Sequence, residues 1–452
     1  MSTYSIIQKS QLEGAFRLDA EYYNPEFFGL KTILESSKTE KISGLSSFVK
    51  KGIFDLSPEN YRESGVPFVR VQNIRKGFLS EEGLVFIPEE VHQREKKTEL
   101  ESLDLVLSKV GTVGEISIIP SRFGKVNFSQ NTVGVKIDKE KIYPGYLLIY
   151  LLSKFGQLQL KRAQMFQVQP KLELQDVREL EIIRLGKAEK EIHDNVLEVE
   201  RLQEESKSLY SQAEGVLLEE LGLKDFEVDE DLYNIVNFSE IQSANRMDAE
   251  YFQPKYDKLI SKLKSQKSKK IEEIAVVRRG SLIDPMFYNE GAGIPYIRGK
   301  DFSSGRLEKN DLIYISDRFN AARETRINAG DIVFALIGSV GTLARVLEEF
   351  DSAFISNNLG KISLRNKAEV LPEYLEILLH SLVGRFQFER EGTQTAQPKI
   401  SDSQVRSFLI PILEKETQQK IAGLIRRSHE SCKKAKQLLE EAKQKVEEMI
   451  GG

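Results

Sequence analysis

The sequence predicts an α+β protein in which two similar mixed α/β domains stand in tandem, separated by two long helices. Nearly the whole chain is written twice, with a period of about 229 residues. Each copy ends in a heptad pattern, which is typical of paired helices. A repeat this long indicates two whole domains, whereas short periods indicate solenoids. We expect the two helices to form an antiparallel coiled coil and the molecule to be pseudo-two-fold.

The repeat is visible in five segments whose offset varies only between 227 and 229 residues. The pairs are RLDAEYY (17–23) and RMDAEYF (246–252), VPFVRVQNI (66–74) and IPYIRGKDF (294–302), DLVLSKVGTVG (104–114) and DIVFALIGSVG (331–341), PGYLLIYLLSKFG (144–156) and PEYLEILLHSLVG (372–384), and VQPKLELQDVRELEI (168–182) and AQPKISDSQVRSFLI (396–410). The predicted boundaries are 1–186 for the first domain, 187–232 for a long helix and linker, 233–412 for the second domain, and 413–452 for the second long helix.

The composition is that of an ordinary globular protein, with 40% hydrophobic and 30% charged residues. The net charge of −4 hides an uneven distribution, since residues 187–232 carry 5 basic and 15 acidic side chains. The repeated bodies are therefore not acidic, and the overall charge is a poor guide to their partners. A single cysteine, Cys432, excludes a disulfide framework and a cysteine-cluster metal site. No apolar run reaches 18 residues, so we expect a cytoplasmic protein.

Short β-branched and aromatic runs between Gly, Asn, Asp and Pro residues predict the strands of each body. These runs are Val66–Val71, Leu103–Leu107, Ile116–Ile119, Val133–Ile137, Ile294–Ile297, Asp331–Ile337 and Lys361–Leu364. Pro144 and Pro372 suit a first helical turn, and the helices that they start are expected to end near Gly156 and Gly384. A second helix follows each Gln-Pro-Lys loop, and Ser401 with Gln404 has the spacing of a capping box.

The heptad seams lie 229 residues apart and predict that the long helices pair. The first seam is Ile192, Val196, Val199, Gln203, Ser206, Tyr210, Ala213 and Leu217, and the second is Ile421, Ile425, Ser428, Cys432, Ala435, Leu439, Ala442 and Val446. Both seams are small or polar at the centre and bulkier at the ends. In an antiparallel pair the two weak centres would face each other, and the backbones could approach closely. The alternative is two surface helices, each packed on its own body.

The motifs of several enzyme classes are missing from the sequence. We find no phosphate loop, dinucleotide-binding fingerprint, zinc-protease helix, nucleophile elbow, or Asn/Asp-Pro-Pro-aromatic tetrapeptide of amino-methyltransferases. The four histidines (His92, His193, His380 and His429) have no equivalents between the copies. We therefore expect no catalytic, cofactor-binding or metal site in this chain.

Two duplicated motifs each have two interpretations. Asp19/Glu21 and Asp248/Glu250 follow Arg17 and Arg246, and this cluster suits either a metal or catalytic site or, more often, a charge-assisted anchor for a segment. The glycine pairs Gly111/Gly114 and Gly338/Gly341 follow an apolar strand. They suit either a backbone turn that cradles a phosphate or a plain tight turn.

Taken in order, the repeated blocks resemble the specificity subunits of Type I restriction–modification systems. Each copy has the strand with its glycine turn, then Ser129-Gln130-Asn131 or Ser356-Asn357-Asn358, then the Pro-x-Tyr-Leu helix and the Gln-Pro-Lys loop. The resemblance covers residues 4–450. It implies two target-recognition domains that each read one half of a split double-stranded DNA site, and long helices that dock two methyltransferase subunits. Those partners would hold S-adenosylmethionine and methylate adenine, and a separate motor subunit would translocate and cut.

Base reading needs Arg, Lys, Asn, Gln or Ser side chains on loops that reach the groove edges. The candidates of the first body are Arg70, Gln72, Asn73, Arg75, Lys76, Ser129, Gln130, Asn131, Gln164, Gln167, Gln169 and Lys171. Those of the second body are Arg298, Lys300, Ser303, Arg306, Ser356, Asn357, Asn358, Thr393, Gln394, Thr395, Gln397 and Lys399. The loop before the last helix of each body differs between the copies where its flanks do not, as expected for readers of two different half-sites.

Three other functions remain open at this point. The chain could be a coiled-coil scaffold that binds only proteins, an enzyme with a cryptic site, or the recognition subunit of a related methyltransferase-only or fused restriction system.

Overall fold

The computed structural model describes residues 6, 8–9, 23–164, 171–227, 234–289, 291–303, 305–309, 312–316, 319, 325–393 and 395–451. The chain divides into two compact units. The first unit is Met1–Glu204 with Ser431–Gly452, and the second unit is Glu205–Glu430. Each long helix is thus divided between the units near its middle, whereas the sequence prediction placed the borders at the ends of the bodies.

The helices of the first unit are α1 (Pro25–Ser36), α2 (Ile42–Leu45), α3 (Glu89–Arg94), α4 (Pro144–Leu152), α5 (Lys154–Ala163) and α6 (Leu174–Glu179). Those of the second unit are α8 (Phe238–Ala244), α9 (Pro254–Lys264), α10 (Ile271–Ile274), α11 (Pro372–His380), α12 (Leu382–Glu391) and α13 (Asp402–Arg406). The long helices are α7 (Ala188–Glu220) and α14 (Lys415–Gly451). Among the described residues, no helix combines the length and the apolar character that a membrane span requires.

The strands of the first unit are β1 (Thr39–Lys41), β2 (Ser46–Lys51), β3 (Val66–Val69), β4 (Gly77–Phe78), β5 (Val85–Ile87), β6 (Leu100–Glu101), β7 (Leu105–Ser108), β8 (Ile116–Ile118), β9 (Lys125–Phe128), β10 (Thr132–Ile137) and β11 (Glu181–Ile183). Those of the second unit are β12 (Ser268–Lys270), β13 (Ala275–Arg279), β14 (Tyr288–Asn289), β15 (Ile294–Ile297), β16 (Phe302–Ser303), β17 (Arg306–Leu307), β18 (Ile313–Ile315), β19 (Ile332–Ala335), β20 (Leu343–Arg345), β21 (Phe354–Ile355), β22 (Leu359–Leu364) and β23 (Leu409–Pro411). Each of the seven predicted strands is present, shifted by a few residues at most.

The two units repeat the same sheet topology. The first has a sheet in the order β2-β10-β7-β8-β4, and the second has the matching order β13-β22-β19-β20. A second sheet contains β5-β3-β9 in the first unit and β18-β15-β21 in the second. The parallel strand pair of this second sheet has the same register in both units. Phe68 of β3 lies opposite Asn127 of β9, and the equivalent Tyr296 of β15 lies opposite Phe354 of β21. The repeat seen in the sequence is therefore a repeat of the fold.

The predicted ends of the proline-started helices are wrong. α4 and α11 begin at the prolines but stop at Leu152 and His380, and a second helix starts two residues later. Gly156 and Gly384 lie inside these second helices. A Cβ at Gly156 would lie 2.4 Å from the Leu151 Cα, and one at Gly384 would lie 2.1 Å from the Leu379 carbonyl oxygen. The glycines allow the second helix to fold back on the first.

The long helices join the core of each unit in an antiparallel sense. In the first unit, Ile192 and Val196 near the start of α7 share a cluster with Ala442 and Val446 near the end of α14. In the second unit, the later part of α7 shares a cluster with the early part of α14. That cluster contains Ala213, Leu217, Ile421 and Ile425, and Tyr210 packs against it. The predicted pairing is confirmed, and the helices also pack on the bodies. Val199 is buried in the first-unit cluster, and Leu439 packs against it.

The small centre of the seam allows the backbones to meet in the second unit. The Ser206 Oγ donates to the Ser428 carbonyl oxygen, and the Ser428 Oγ donates to the Ser206 carbonyl oxygen, both at 2.8 Å. The two hydroxyl oxygens are 3.0 Å apart, and both side chains are buried. Only residues as small as serine permit this reciprocal contact.

Candidate nucleic-acid interface

Three sequence motifs meet at one backbone position in each unit. In the first unit, the Lys109 N–H donates to the Asn131 carbonyl at 3.1 Å, and the Leu172 N–H donates to the Lys109 carbonyl at 3.1 Å. In the second unit, Leu336 replaces Lys109 and makes the same two bonds, with Asn358 and Ile400, at 2.9 Å each. The strand before the glycine turn therefore lies between the Ser-x-Asn element and the Gln-Pro-Lys loop.

The glycine turns have left-handed backbone at all four glycines. Their φ angles are 84° and 97° at Gly111 and Gly114, and 86° and 93° at Gly338 and Gly341. In the second unit the Gly338 N–H donates to the Pro398 carbonyl, and the Val340 N–H donates to the Gly338 carbonyl. Because these N–H groups already have partners, the structure favours a tight turn over a phosphate cradle.

A cleft of about 560 Å³ lies on the first unit where these elements meet. Six of the predicted DNA contacts line it together with glycine-turn residues and residues of the loop after β2. The lining consists of Ile53, Asp55, Leu56, Tyr61, Phe68, Arg70, Val71, Gln72, Arg75, Gly111, Thr112, Ser129, Gln130 and Asn131. The fold thus brings side chains from positions 70–75 and 129–131 to one surface.

The side chains of the short turn after β3 divide into two roles. The Arg70 guanidinium lies 5.3 Å from the Tyr61 ring centroid and donates to the Gly83 carbonyl at 2.5 Å. Arg70 is therefore held in place at the cleft wall. Gln72, Arg75 and Lys76 are exposed, although Gln72 also donates weakly to Gly83 at 3.4 Å. These three side chains extend from the turn toward solvent, where a groove could meet them.

Asn73 is the exception among the predicted contacts in this turn, and it is not available to read a base. Its side chain is 0% exposed. Its Oδ1 accepts from the Arg70 N–H at 3.0 Å, and its Nδ2 donates to the carbonyls of Ser80 and Glu82 at 3.2 Å. With both ends of the amide satisfied inside the protein, Asn73 shapes the turn.

The matching turn in the second unit has the same design with different side chains. Asp301 takes the place of Asn73, and its Oδ2 accepts from the Arg298 N–H at 2.8 Å. Burial raises the pKa of Asp301 above its usual value. Lys300 is exposed beside it. Arg306 differs from the prediction, because its guanidinium donates to the Ser206 Oγ of α7 at 3.1 Å. The side chain of Ser303 lies outside the described part of the structure.

The asparagine at the end of the Ser-x-Asn element is its most exposed residue in both units. Asn131 and Asn358 are exposed, Gln130 and Asn357 are half-buried, and Ser356 is buried. The Gln130 Oε1 accepts from the Asp55 N–H at 3.3 Å, which ties this element to the loop after β2. Ser129 is half-buried at the cleft.

The loop before α13 is exposed and held by its own hydrogen bonds. The Lys399 N–H donates to the Thr393 Oγ1 at 2.9 Å, and the Thr395 hydroxyl donates to the Gln397 carbonyl at 2.9 Å. The predicted Ser401 cap is confirmed, with the Ser401 N–H bonded to the Gln404 Oε1 at 2.8 Å. In the first unit, Lys171 is exposed 3.5 Å from Glu173, and Gln164 donates weakly to the Val113 carbonyl. Gln167, Gln169 and Gln394 lie outside the described residues.

Sequence reasoning missed a pair of exposed basic residues at the end of the first strand of each main sheet. These are Lys50 and Lys51 in the first unit and Arg278 and Arg279 in the second. The arginines line a cleft of about 630 Å³ together with Arg365 and Arg406, and the acids Glu272 and Asp402 also line it. The sequence does contain a pattern that could have indicated these residues, because both basic pairs directly precede a repeated glycine, Gly52 or Gly280.

The duplicated Arg-x-Asp motif is an anchor in the copy that the structure describes. Arg246 forms a two-pronged ion pair with Asp248, at 2.5 Å for the shorter contact. Its Nη1 also donates to the Arg390 and Glu391 carbonyls at the end of α12. This pairing lowers the pKa of Asp248. The equivalent residues Arg17, Asp19 and Glu21 lie outside the described residues.

Residues 264–444 match the family model described as the Type I restriction modification DNA specificity domain. The matched segment covers most of the second body and most of α14. The resemblance of the repeated blocks to specificity subunits is thereby confirmed. The first unit repeats the sheet order and the motif contacts of the second. No curated protein sequence matches the chain.

Several solved structures resemble the chain at low identity. The S subunit of the Type I restriction–modification system of M. genitalium is 16% identical with a TM-score of 0.40, over 91% of this chain and 94% of that one. The HsdS subunit of Thermoanaerobacter tengcongensis is 16% identical with a TM-score of 0.30, over 91% and 95%. The type IIG restriction endonuclease BpuSI is 13% identical with a TM-score of 0.31, over 42% and 30%.

Proposed function

We propose that the chain is the DNA sequence-recognition subunit of a Type I restriction–modification complex, in which each body reads one half of a bipartite double-stranded site. One observation above all supports this proposal. In both bodies, the Ser-x-Asn element, the strand before the glycine turn and the Gln-Pro-Lys loop are held together by the same backbone contacts, while side chains beside these motifs differ between the copies. The first body gathers six candidate reading residues in one cleft. The two bodies thus share a backbone arrangement but expose different amide, hydroxyl and basic side chains. This combination suits two domains that recognise different bases.

The long helices give the proposed complex its spacing and its docking surface. α7 has 33 residues and α14 has 37, so at ~1.5 Å per residue each is about 50 Å long. That length corresponds to on the order of 15 base pairs of DNA. We propose that the outer faces of these helices dock two methyltransferase subunits, which hold S-adenosylmethionine and methylate adenine. A restriction subunit would join the same complex in the cytoplasm, and this chain would contribute no catalytic group.

The proposal predicts DNA binding that depends on salt and on sequence. The full chain with its methyltransferase subunits should bind a duplex carrying the recognition site far more tightly than an unrelated duplex. The affinity should fall steeply between 50 mM and 200 mM salt, because each phosphate contact releases counterions. A gel shift across this salt range provides the measurement. A scaffold that binds only proteins would show no preference for the site and no such salt dependence, and this result would exclude the proposal.

A further inference from the structure

Two exposed apolar side chains occupy equivalent positions in the two units. Phe54 is 82% exposed and Leu282 is 78% exposed. Each is the second residue after the repeated glycine, Gly52 or Gly280. A single exposed apolar residue needs no explanation. Here an exposed apolar side chain stands at equivalent positions of both copies, as Phe in one and Leu in the other. This repetition indicates a common binding role that apolar side chains of different shape can fill.

The loop that carries each apolar residue is fixed on the Ser-x-Asn element. The Ile53 N–H donates to the Phe128 carbonyl at 2.8 Å, and the Ser281 N–H donates to the Ile355 carbonyl at 3.0 Å. A Cβ at Gly52 would lie 1.9 Å from the Phe128 carbonyl oxygen, and one at Gly280 would lie 2.3 Å from that of Ile355. The glycines are thus required for the close approach, and the apolar tips have a defined place beside the candidate reading residues.

The backbone next to Phe54 has an unusual conformation, and the Phe54 side chain lies away from the protein. Asp55 has a φ of 49°, a left-handed conformation that non-glycine residues adopt only at a cost in energy. Its N–H is held by the Gln130 Oε1 at 3.3 Å. Ile53 is buried on one side of Phe54 and Leu56 is half-buried on the other, and both line the cleft. Ile53 and Leu56 therefore face the cleft while Phe54 itself faces solvent.

The surroundings of the tips favour DNA over an apolar protein surface as the partner. Lys50 and Lys51 precede Phe54, Arg278 and Arg279 precede Leu282, and all four are exposed. Adjacent cations suit phosphates on both sides of a base step. DNA-bending proteins combine such cations with Phe or Leu side chains that enter between base pairs and unstack them.

We propose that Phe54 and Leu282 are apolar wedges that enter the DNA stack, one in each half-site, while the neighbouring loops read the bases. The inference rests on the proposed function, since it requires that each body binds DNA. It adds a distortion of the DNA at a defined step within each half-site. It also implies that the affinity for each half-site depends on how easily the base pairs at that step unstack.

The test uses the full chain with its methyltransferase subunits and duplexes that carry the recognition site with 2-aminopurine at successive positions. The fluorescence of 2-aminopurine rises when the base is unstacked. We expect a rise at one step in each half-site for the wild type. F54A should remove the rise in one half-site and L282A in the other, each with a loss of affinity of roughly tenfold, the order expected for a base-stacking contact. Both side chains are exposed, so neither variant should impair folding.

The matched control is Phe238→Ala, which removes an aromatic side chain that is 70% exposed on α8. The residue equivalent to Phe238 in the first copy is Lys9, so no apolar side chain is repeated at this position. This variant should bind like the wild type. Unchanged affinity and fluorescence in F54A and L282A would overturn the wedge while leaving DNA reading intact. Loss of methyltransferase assembly with normal DNA binding would also overturn it, since the tips would then be protein contacts. A wild type that does not prefer its site over an unrelated duplex would refute the proposed function itself.

Discussion

Glu376 is a buried charge in the second unit that joins α11 to α14, and its removal tests the packing described above. Its side chain is 1% exposed on α11. The Oε2 accepts from the Arg345 Nε at 2.7 Å, and the Oε1 lies 2.7 Å from the His429 Nε2 of α14. Burial alone would raise its pKa, but the hydrogen bond and charge of His429, together with Arg345, outweigh burial and lower the pKa of Glu376 to about 2.

The stabilisation follows from this pKa. A change from the ordinary 4.5 to about 2 corresponds to roughly 3 kcal/mol, at about 1.4 kcal/mol for each pKa unit. Because the pKa is lower in the folded protein, the stabilisation is fully present above pH 4.5 and is lost as the pH falls through 2. Glu376→Gln keeps the volume but removes the nearer of the two carboxylates around the buried Arg345, leaving Glu373 at 3.9 Å. We expect this variant to lose about 3 kcal/mol at pH 7, the lower end of the cost of breaking a buried pair.

Urea unfolding at pH 7 and at pH 3 measures this loss, combined with hydrogen exchange of the α11 peptide because the two units need not unfold together. The difference between wild type and variant should shrink at pH 3, because the Glu376 carboxylate is then largely protonated in the unfolded chain and still charged in the folded protein. Glu440→Gln is the control, since Glu440 is 69% exposed and pairs with Lys443 on the surface of α14. A Glu376→Gln variant as stable as this control at pH 7 would refute the reasoning.

Three further predictions concern other parts of the molecule. Ser428→Leu should destabilise the protein by about 1–3 kcal/mol, because the larger side chain overpacks the contact between the helices. Ser428→Ala should destabilise it by about 1 kcal/mol, because hydrogen bonds are lost. Urea unfolding measures both losses, and equal losses would mean that the helices are not in close contact. Gly384→Ala should lower the melting temperature, because the new Cβ would lie 2.1 Å from the Leu379 carbonyl oxygen. Gly29→Ala should leave the melting temperature unchanged, because the space around Gly29 is open. The opposite order would contradict the fold-back of α12 on α11. Arg75→Ala with Lys76→Ala should reduce the slope of log affinity against log salt by about 1 to 2, and an unchanged slope would remove the turn after β3 from the DNA surface.

Much of the fold could be predicted from the sequence because the repeat supplies two independent copies of each pattern. The strands, the proline-started helices, the Ser401 cap and the helix seam all follow from local periodicity and capping chemistry. The ends of α4 and α11 could not be predicted. Gly156 and Gly384 are typical of helix ends, but here they allow one helix to pack on another, which depends on contacts distant from the local pattern.

The candidate site was predicted only in part, for a similar reason. Residue type and loop position indicated Gln72, Arg75 and Asn131, which are exposed at the first cleft. The same criteria also selected Asn73 and Arg306, whose side chains are used inside the protein. The sequence does not show whether an amide or guanidinium already has an internal partner. Phe54 and Leu282 could not be predicted by these criteria, because both side chains are apolar.

The most direct test of the central claim is to map the modified bases in DNA from cells that express the chain with its methyltransferase subunits, before and after exchange of one body. The exchange would replace residues 234–412 with the second body of another specificity subunit and keep α7 and α14. We predict a bipartite motif with a fixed gap, in which the exchange changes one half and leaves the other half and the gap unchanged. A continuous motif, or simultaneous change of both halves, would contradict the account.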